Sequence, residues 1–230
     1  MRNARMNPMF ISPFDIFPPN RGRRRLAEGG LQGEGFCANH PAFAATGCAI
    51  VMSTGTMSTD LTLVLGGARS GKSRHAEALV TAMPGPRVYI ATAQVWDEEM
   101  ADRVARHQQD RGPGWTTVEE PLDLPGTLRR HAVPGTNVLV DCLTLWLSNL
   151  MMDEADIPAH SAQLLDTLAA VGGRVVLVSN EVGLGIVPDN ALARHFRDHA
   201  GRLHQDVAAL AGRVVFVAAG LPMVLKGERP

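Results

Sequence analysis

The sequence predicts an α/β fold in three layers, a mostly parallel sheet covered by helices, over residues 61–230. Short β-branched apolar runs alternate with longer stretches of helical pattern, and a glycine-rich phosphate motif joins the first run to the first helix. The runs are continuously apolar rather than alternating, as expected of strands buried on both faces. No internal repeat interrupts the pattern.

The expected strands are 61–66 (LTLVLG), 87–92 (RVYIAT), 137–141 (NVLVD), 174–180 (RVVLVSN) and 213–219 (RVVFVAA). A more polar candidate lies at 115–120 (WTTVEE). Helices are expected over 72–82, 97–110, 122–131, 142–152, 158–171 and 189–211. Asp97 can cap the second of these, Glu98 and Glu99 suit the positive end of its dipole, and Gly112-Pro113 stops it. The last helix carries an apolar stripe through Leu192, Phe196, Ala200 and Leu203. Its Arg194, Arg197 and Arg202 fall off that stripe and could meet a phosphate. His195, His199 and His204 lack the carboxylate of a zinc-binding helix and read as structural or interfacial.

Residues 1–60 read differently. They hold five prolines, seven glycines and the basic run Arg21 to Arg25, without a sustained apolar period. The apolar opening is broken by Pro13 and Pro18-Pro19, unlike a signal segment. The expectation is a disordered extension, or upstream sequence included by a start-site error, with Met52 or Met57 beginning the folded protein.

Composition narrows the function classes. Hydrophobic residues make up 45% and charged residues 20%, an ordinary globular balance, and the net charge of -1 gives no basic groove for nucleic acid. Three cysteines without ligand spacing indicate neither a zinc site nor a disulfide framework, and no window reaches the length of a membrane span. A cytoplasmic protein is expected.

Gly66, Gly67, Ala68, Arg69, Ser70, Gly71, Lys72 and Ser73 follow a strand and open a helix, which is the context of a P-loop. Successive backbone N–H groups curl around an anion, and the helix N-terminus adds partial positive charge. Lys72 would reach the β- and γ-phosphates, and the Ser73 hydroxyl would ligate Mg²⁺. Asp141, ending an apolar strand, is placed to hold the magnesium or its water shell, or to accept hydrogen bonds from the nucleoside. Asn180 and Glu181 end another strand before a glycine-hinged loop; it reads as substrate-facing, or as a turn whose glycines permit positive φ. His107 shares the apolar direction of Met100 and Val104 in the last turn of its helix. It is either a packed histidine or a nucleophile, with Arg103, Arg106 and Arg111 nearby to neutralise a leaving pyrophosphate.

Five stretches carry a resemblance: GGARSGKSRHAEAL, YIATAQVWDEEMADRVARHQQDRG, VDCLTLWLSNL, SNEVGLGIVPDNALARHFRDHAGRLHQ and GLPMVLKG. Together they resemble the bifunctional adenosylcobinamide kinase / adenosylcobinamide-phosphate guanylyltransferase family of cobalamin biosynthesis, from about Leu61 to Gly227. The resemblance implies a RecA-like P-loop NTPase fold, a homotrimer, and adenosylcobinamide, adenosylcobinamide phosphate, ATP and GTP as substrates. It implies that His107 becomes covalently guanylylated. Ala91, Thr92, Ala93, Gln108, Gln109, Asp110 and Arg111 would line the nucleotide pocket, and Glu119 and Asp141 would contact GTP. Some members carry glutamate where this chain has Asp141. A small-molecule P-loop kinase without a covalent intermediate is the alternative; a nucleotide switch would be expected to show an NKxD-type base-reading motif, and none is present.

Overall fold

The computed structural model describes residues 58–94 and 113–228. Seven strands form one sheet: β1 Ser58–Gly66, β2 Arg87–Ala91, β3 Trp115–Glu119, β4 Asn137–Asp141, β5 Arg174–Asn180, β6 Ala211–Ala218 and β7 Leu221–Lys226. The helices are α1 Lys72–Thr81, α2 Leu124–His131, α3 Leu143–Met152, α4 Ile157–Ala170 and α5 Ala191–Leu210. The helix expected over 97–110 lies outside the described residues.

The strand order is β3-β2-β4-β5-β1-β6-β7, parallel throughout except that β7 runs antiparallel to β6. Alternate residues of each central strand enter different cores, as the two-residue period of a strand requires. Val64, Tyr89, Leu139, Val176 and Val215 pack with Ala76 and Val80 of α1 on one face. Leu63, Ile90, Val140, Leu177 and Val214 pack on the other face with α2 to α5, around Trp146, Leu128, Leu164 and Leu203. Trp146 is fully buried, and its indole N–H donates to the Leu122 carbonyl at 2.9 Å. The ring therefore contributes apolar area without an orphaned donor.

Helix starts follow from their flanking residues. Asp123, Asp156 and Asn190 accept backbone N–H groups of the first turns of α2, α4 and α5, each cap contributing about 1 kcal/mol. α1 has no such side-chain cap and starts instead from Gly71 in the left-handed region. Its first-turn N–H groups are left for something else.

Two sequence expectations need correction. The last predicted strand overruns: Ala219 and Gly220, with φ 51° and 79°, form a tight turn, a geometry that favours a two-residue hairpin. That hairpin returns as β7, which the sequence reading did not assign as a strand. Pro222 argues against a strand in a sheet interior, but β7 is an edge strand, where proline is tolerated. The second predicted strand stops at Ala91 rather than Thr92, because the Thr92 hydroxyl is drawn into a clasp on β4's far end.

His204 of α5 is largely buried, with Nε2 2.7 Å from the hydroxyl of fully buried Ser179. Burial pushes its pKa down to about 4, partly offset by the Glu181 carboxylate. The unfolded chain thus takes up this proton below about 6.5 and the folded chain only below about 4. Stability from this group is full above pH 6.5 and falls as pH drops towards 4, by about 3 kcal/mol in total. Urea midpoints across that range should fall more gently for His204→Gln than for the parent; parallel slopes would contradict the assignment.

Candidate active site

β1 ends at Gly66 because no larger residue fits there. A Cβ on Gly66 would stand 2.5 Å from both the Ser70 hydroxyl and the Val217 carbonyl. The chain then reverses, with Arg69 at φ 54° and Gly71 at φ 93°, and enters α1 at Lys72. The Ser70 N–H donates to the Gly67 carbonyl at 3.2 Å, and the Lys72 ammonium donates to the same carbonyl at 3.4 Å. This is the strand–loop–helix geometry expected from the glycine spacing.

Neighbouring strands pin the loop from two sides. The Glu181 N–H, just past β5, donates to the Gly66 carbonyl at 3.0 Å. The Gly220 N–H, in the β6–β7 turn, donates to the Ser70 carbonyl at 2.8 Å. A Cβ on Gly71 would meet the Gly220 Cα at 3.3 Å, so the turn and the loop are in close backbone contact. Together they line a cavity of about 600 Å³ formed by residues Arg69 to Arg74 with Ala219 and Gly220. Its cationic groups are Arg69, Lys72 and Arg74, and the α1 N-terminus opens into the same region. Such a cradle suits a polyphosphate.

The ends of β2, β3 and β4 form a second row. Ala91 is in register with both Glu119 and Asp141. Asp141 accepts the Tyr89 hydroxyl at 3.2 Å, while Glu119 is exposed and Ala93 half-buried. Thr92 is fully buried: its hydroxyl donates to the Cys142 carbonyl and accepts the Cys142 N–H, and its carbonyl takes the Asn149 amide. It is therefore a clasp between β2 and β4, with Ala91 and Ala93 on either side. Cys142 is buried, and its thiol is pushed up to about 11 by burial first and the Asp141 charge second. Lys72 acts on the same thiol in the opposite sense, so the charge of the phosphate loop reaches the β4 end.

In the loop after β5 neither Gly183 nor Gly185 takes the positive φ that the turn reading expected, and Glu181 shapes the chain instead. Both carboxylate oxygens accept backbone N–H groups of the following turn, Gly183 at 2.6 Å and Leu184 at 3.1 Å. Arg194 donates to the Pro188 and Asp189 carbonyls, and Arg197 lies 3.4 Å from Asp198. These groups shape the loop after β5 and its helix. Arg202 and His195 are exposed. Among the described residues no three His, Cys, Asp or Glu side chains are grouped to hold a metal ion. His107, Gln108, Gln109, Asp110 and Arg111 lie outside the described residues.

Sequence reasoning missed Ala219, Gly220 and Arg74 as walls of the cavity. Arg74 follows the motif directly and could have been read from α1's first turn. The hairpin turn could not, because its contact with the loop follows from the pairing of β1 with β6, which lie far apart in sequence.

Gly66→Ala is expected to cost about 1–3 kcal/mol through overpacking, lowering Tm by several degrees and weakening GTP binding in calorimetric titration. Gly201→Ala, in α5 with open space around it, should instead hold or raise Tm.

Comparison with known proteins agrees with this geometry. The family described as cobinamide kinase / cobinamide phosphate guanyltransferase matches residues 62–225. The chain is 52% identical over 168 residues to the bifunctional adenosylcobalamin biosynthesis protein CobP of Pseudomonas aeruginosa, covering 72% of this chain and 97% of that one. It is 42% identical over 179 residues to the bifunctional adenosylcobalamin biosynthesis protein CobU of Escherichia coli, covering 71% and 98%. The CobU of Salmonella typhimurium is 41% identical over the same length, with 71% and 98% covered. With a P-loop at the carboxyl end of a mostly parallel sheet and this extent of similarity, the chain belongs to the cobinamide kinase / cobinamide phosphate guanyltransferase family.

Proposed function

We propose that this protein carries out two successive transfers on one acceptor in adenosylcobalamin biosynthesis. First, the hydroxyl oxygen of adenosylcobinamide's aminopropanol arm attacks the γ-phosphorus of ATP or GTP. The hydroxyl proton is lost, the bond to the β-phosphate oxygen breaks, and the nucleoside diphosphate leaves. Second, an imidazole nitrogen of His107 attacks the α-phosphorus of GTP and pyrophosphate leaves. The phosphate oxygen of adenosylcobinamide phosphate then displaces GMP from the histidine, giving adenosylcobinamide-GDP and restoring the imidazole.

The observation that carries this reading is the uncapped start of α1 inside a cavity lined by Arg69, Lys72 and Arg74, in a chain of this family. Lys72, freed from the Gly67 carbonyl, would follow the β- and γ-phosphates, and the loop N–H groups would hold the oxygens. Their work is positioning and charge stabilisation. Gly66 to Ser73 would bind the triphosphate, Ala91, Thr92 and Ala93 with Gln108 to Arg111 the rest of the nucleotide, and Glu119 and Asp141 would contact GTP. Thr92 would do so through the position of its neighbours, since its hydroxyl and carbonyl are committed to Cys142 and Asn149.

Mg²⁺ fits the donors at hand, because the Ser73 hydroxyl and the Asp141 carboxylate are hard oxygen ligands. When bound, it would neutralise charge on the β- and γ-oxygens. The protein is further proposed to be a cytoplasmic homotrimer that needs no nucleic acid; no helix among the described residues is long and apolar enough to cross a membrane.

His107→Ala tests the covalent half. Incubated with α-labelled GTP, the parent should retain acid-labile label and the variant none, while both still bind GTP. Full labelling of the variant would refute the nucleophile assignment. Kinase activity in a parent that never retains α-label would favour a simple P-loop kinase.

A further inference from the structure

The strongest unexplained surface lies beside the phosphate loop. Leu184, Ile186 and Val187 are 81%, 97% and 59% exposed, and Leu192 at the start of α5 is 42% exposed. A run of large apolar side chains this exposed marks an interaction surface more often than chance. Nor is the segment left to hang in solvent. The Glu181 carboxylate holds its entry, Arg194 holds the Pro188 and Asp189 carbonyls at its exit, and Asn190 caps the helix that follows. The frame is polar and hydrogen-bonded, while the side chains it presents are apolar.

Position says what this surface meets. Asn180 is in register with Gly66, and the Glu181 N–H donates to the Gly66 carbonyl. The apolar run therefore starts three residues beyond a direct bond to the phosphate loop. The cavity itself is lined by cationic, hydroxyl and backbone groups, with only Ala219 offering a methyl. Nothing there can grip a large ring. Yet an acceptor that takes a phosphoryl group at this loop must be held beside it, and a corrinoid is a macrocycle with a methyl-bearing periphery. The second exposed apolar strip, Leu221, Met223 and Leu225 of β7, lies on the sheet edge, where a permanent neighbour would pair with backbone as well.

We propose that the loop from Val182 to Pro188, with Leu184, Ile186 and Val187 as its contacts, seats the corrin ring of the acceptor. This rests on the function proposed above and assigns residues to its acceptor subsite. A pre-shaped apolar loop lowers the ordering cost of binding. It would hold the ring while the aminopropanol arm reaches the phosphates.

The test is steady-state kinase kinetics on the full chain with adenosylcobinamide and ATP varied separately. For Leu184→Ser/Ile186→Ser, KM for adenosylcobinamide should rise roughly tenfold or more. KM for ATP, α-label from GTP, Tm and sedimentation behaviour should stay at parent values. Ile186→Leu should keep the parent KM, separating apolar contact from a merely structural role. An unchanged adenosylcobinamide KM in the double variant, with an active parent, overturns the loop assignment alone. A smaller sedimenting species in the variant would overturn it too, by making this face a contact between copies. A parent that transfers no phosphate to adenosylcobinamide overturns the underlying function as well.

Discussion

The site depends on the absence of a side chain at Gly66. With a hydrogen in place of Cβ, the chain can turn back so that Ser70 and Val217 approach within a distance no Cβ would permit. That turn leaves α1 without a side-chain cap, and it lets β5 and β6 each contribute one backbone donor to the loop. Each hydrogen bond contributes about 1 kcal/mol on its own. Their larger effect is to fix the cradle before any anion arrives, so little reorganisation is needed on binding.

Strand order explains why those donors are where they are. β1 lies between β5 and β6, so whatever follows each of those strands lands beside the phosphate loop. After β5 comes Glu181, spent on shaping an apolar loop; after β6 comes the Ala219–Gly220 turn, which walls the cavity. β4 stands one strand further out, and its Asp141 is steadied by Tyr89. The cationic cradle and the carboxylate row thus lie near one another at the carboxyl ends of the sheet's strands.

Much of this was legible in the sequence, for physical reasons. Doubly buried strands write themselves as continuous apolar runs, and β1, β4 and β5 are found where those runs are. The phosphate loop is legible because positive φ and close approach leave glycine little competition at Gly66 and Gly71. What escaped was non-local. β7 is largely exposed, with Leu221, Pro222 and Met223 exposed in succession, and only its pairing with β6 makes it a strand. Thr92 gave no sign that its hydroxyl bridges to Cys142, fifty residues away. The segment after β5 was open between a substrate-facing loop and a turn whose glycines use positive φ; neither Gly183 nor Gly185 does, and the Glu181 carboxylate shapes the loop by accepting the Gly183 and Leu184 N–H groups.

The proposed function places both transfers on one phosphate cradle, and Lys72 probes it with little structural penalty, since its side chain makes one long contact to the Gly67 carbonyl. The direct measurement follows γ-phosphate transfer to adenosylcobinamide and α-label retention on the protein side by side in Lys72→Ala. A shared cradle requires both rates to fall together, by about 10²–10³. Retention of either rate at the parent level while the other is lost would mean two separate nucleotide sites.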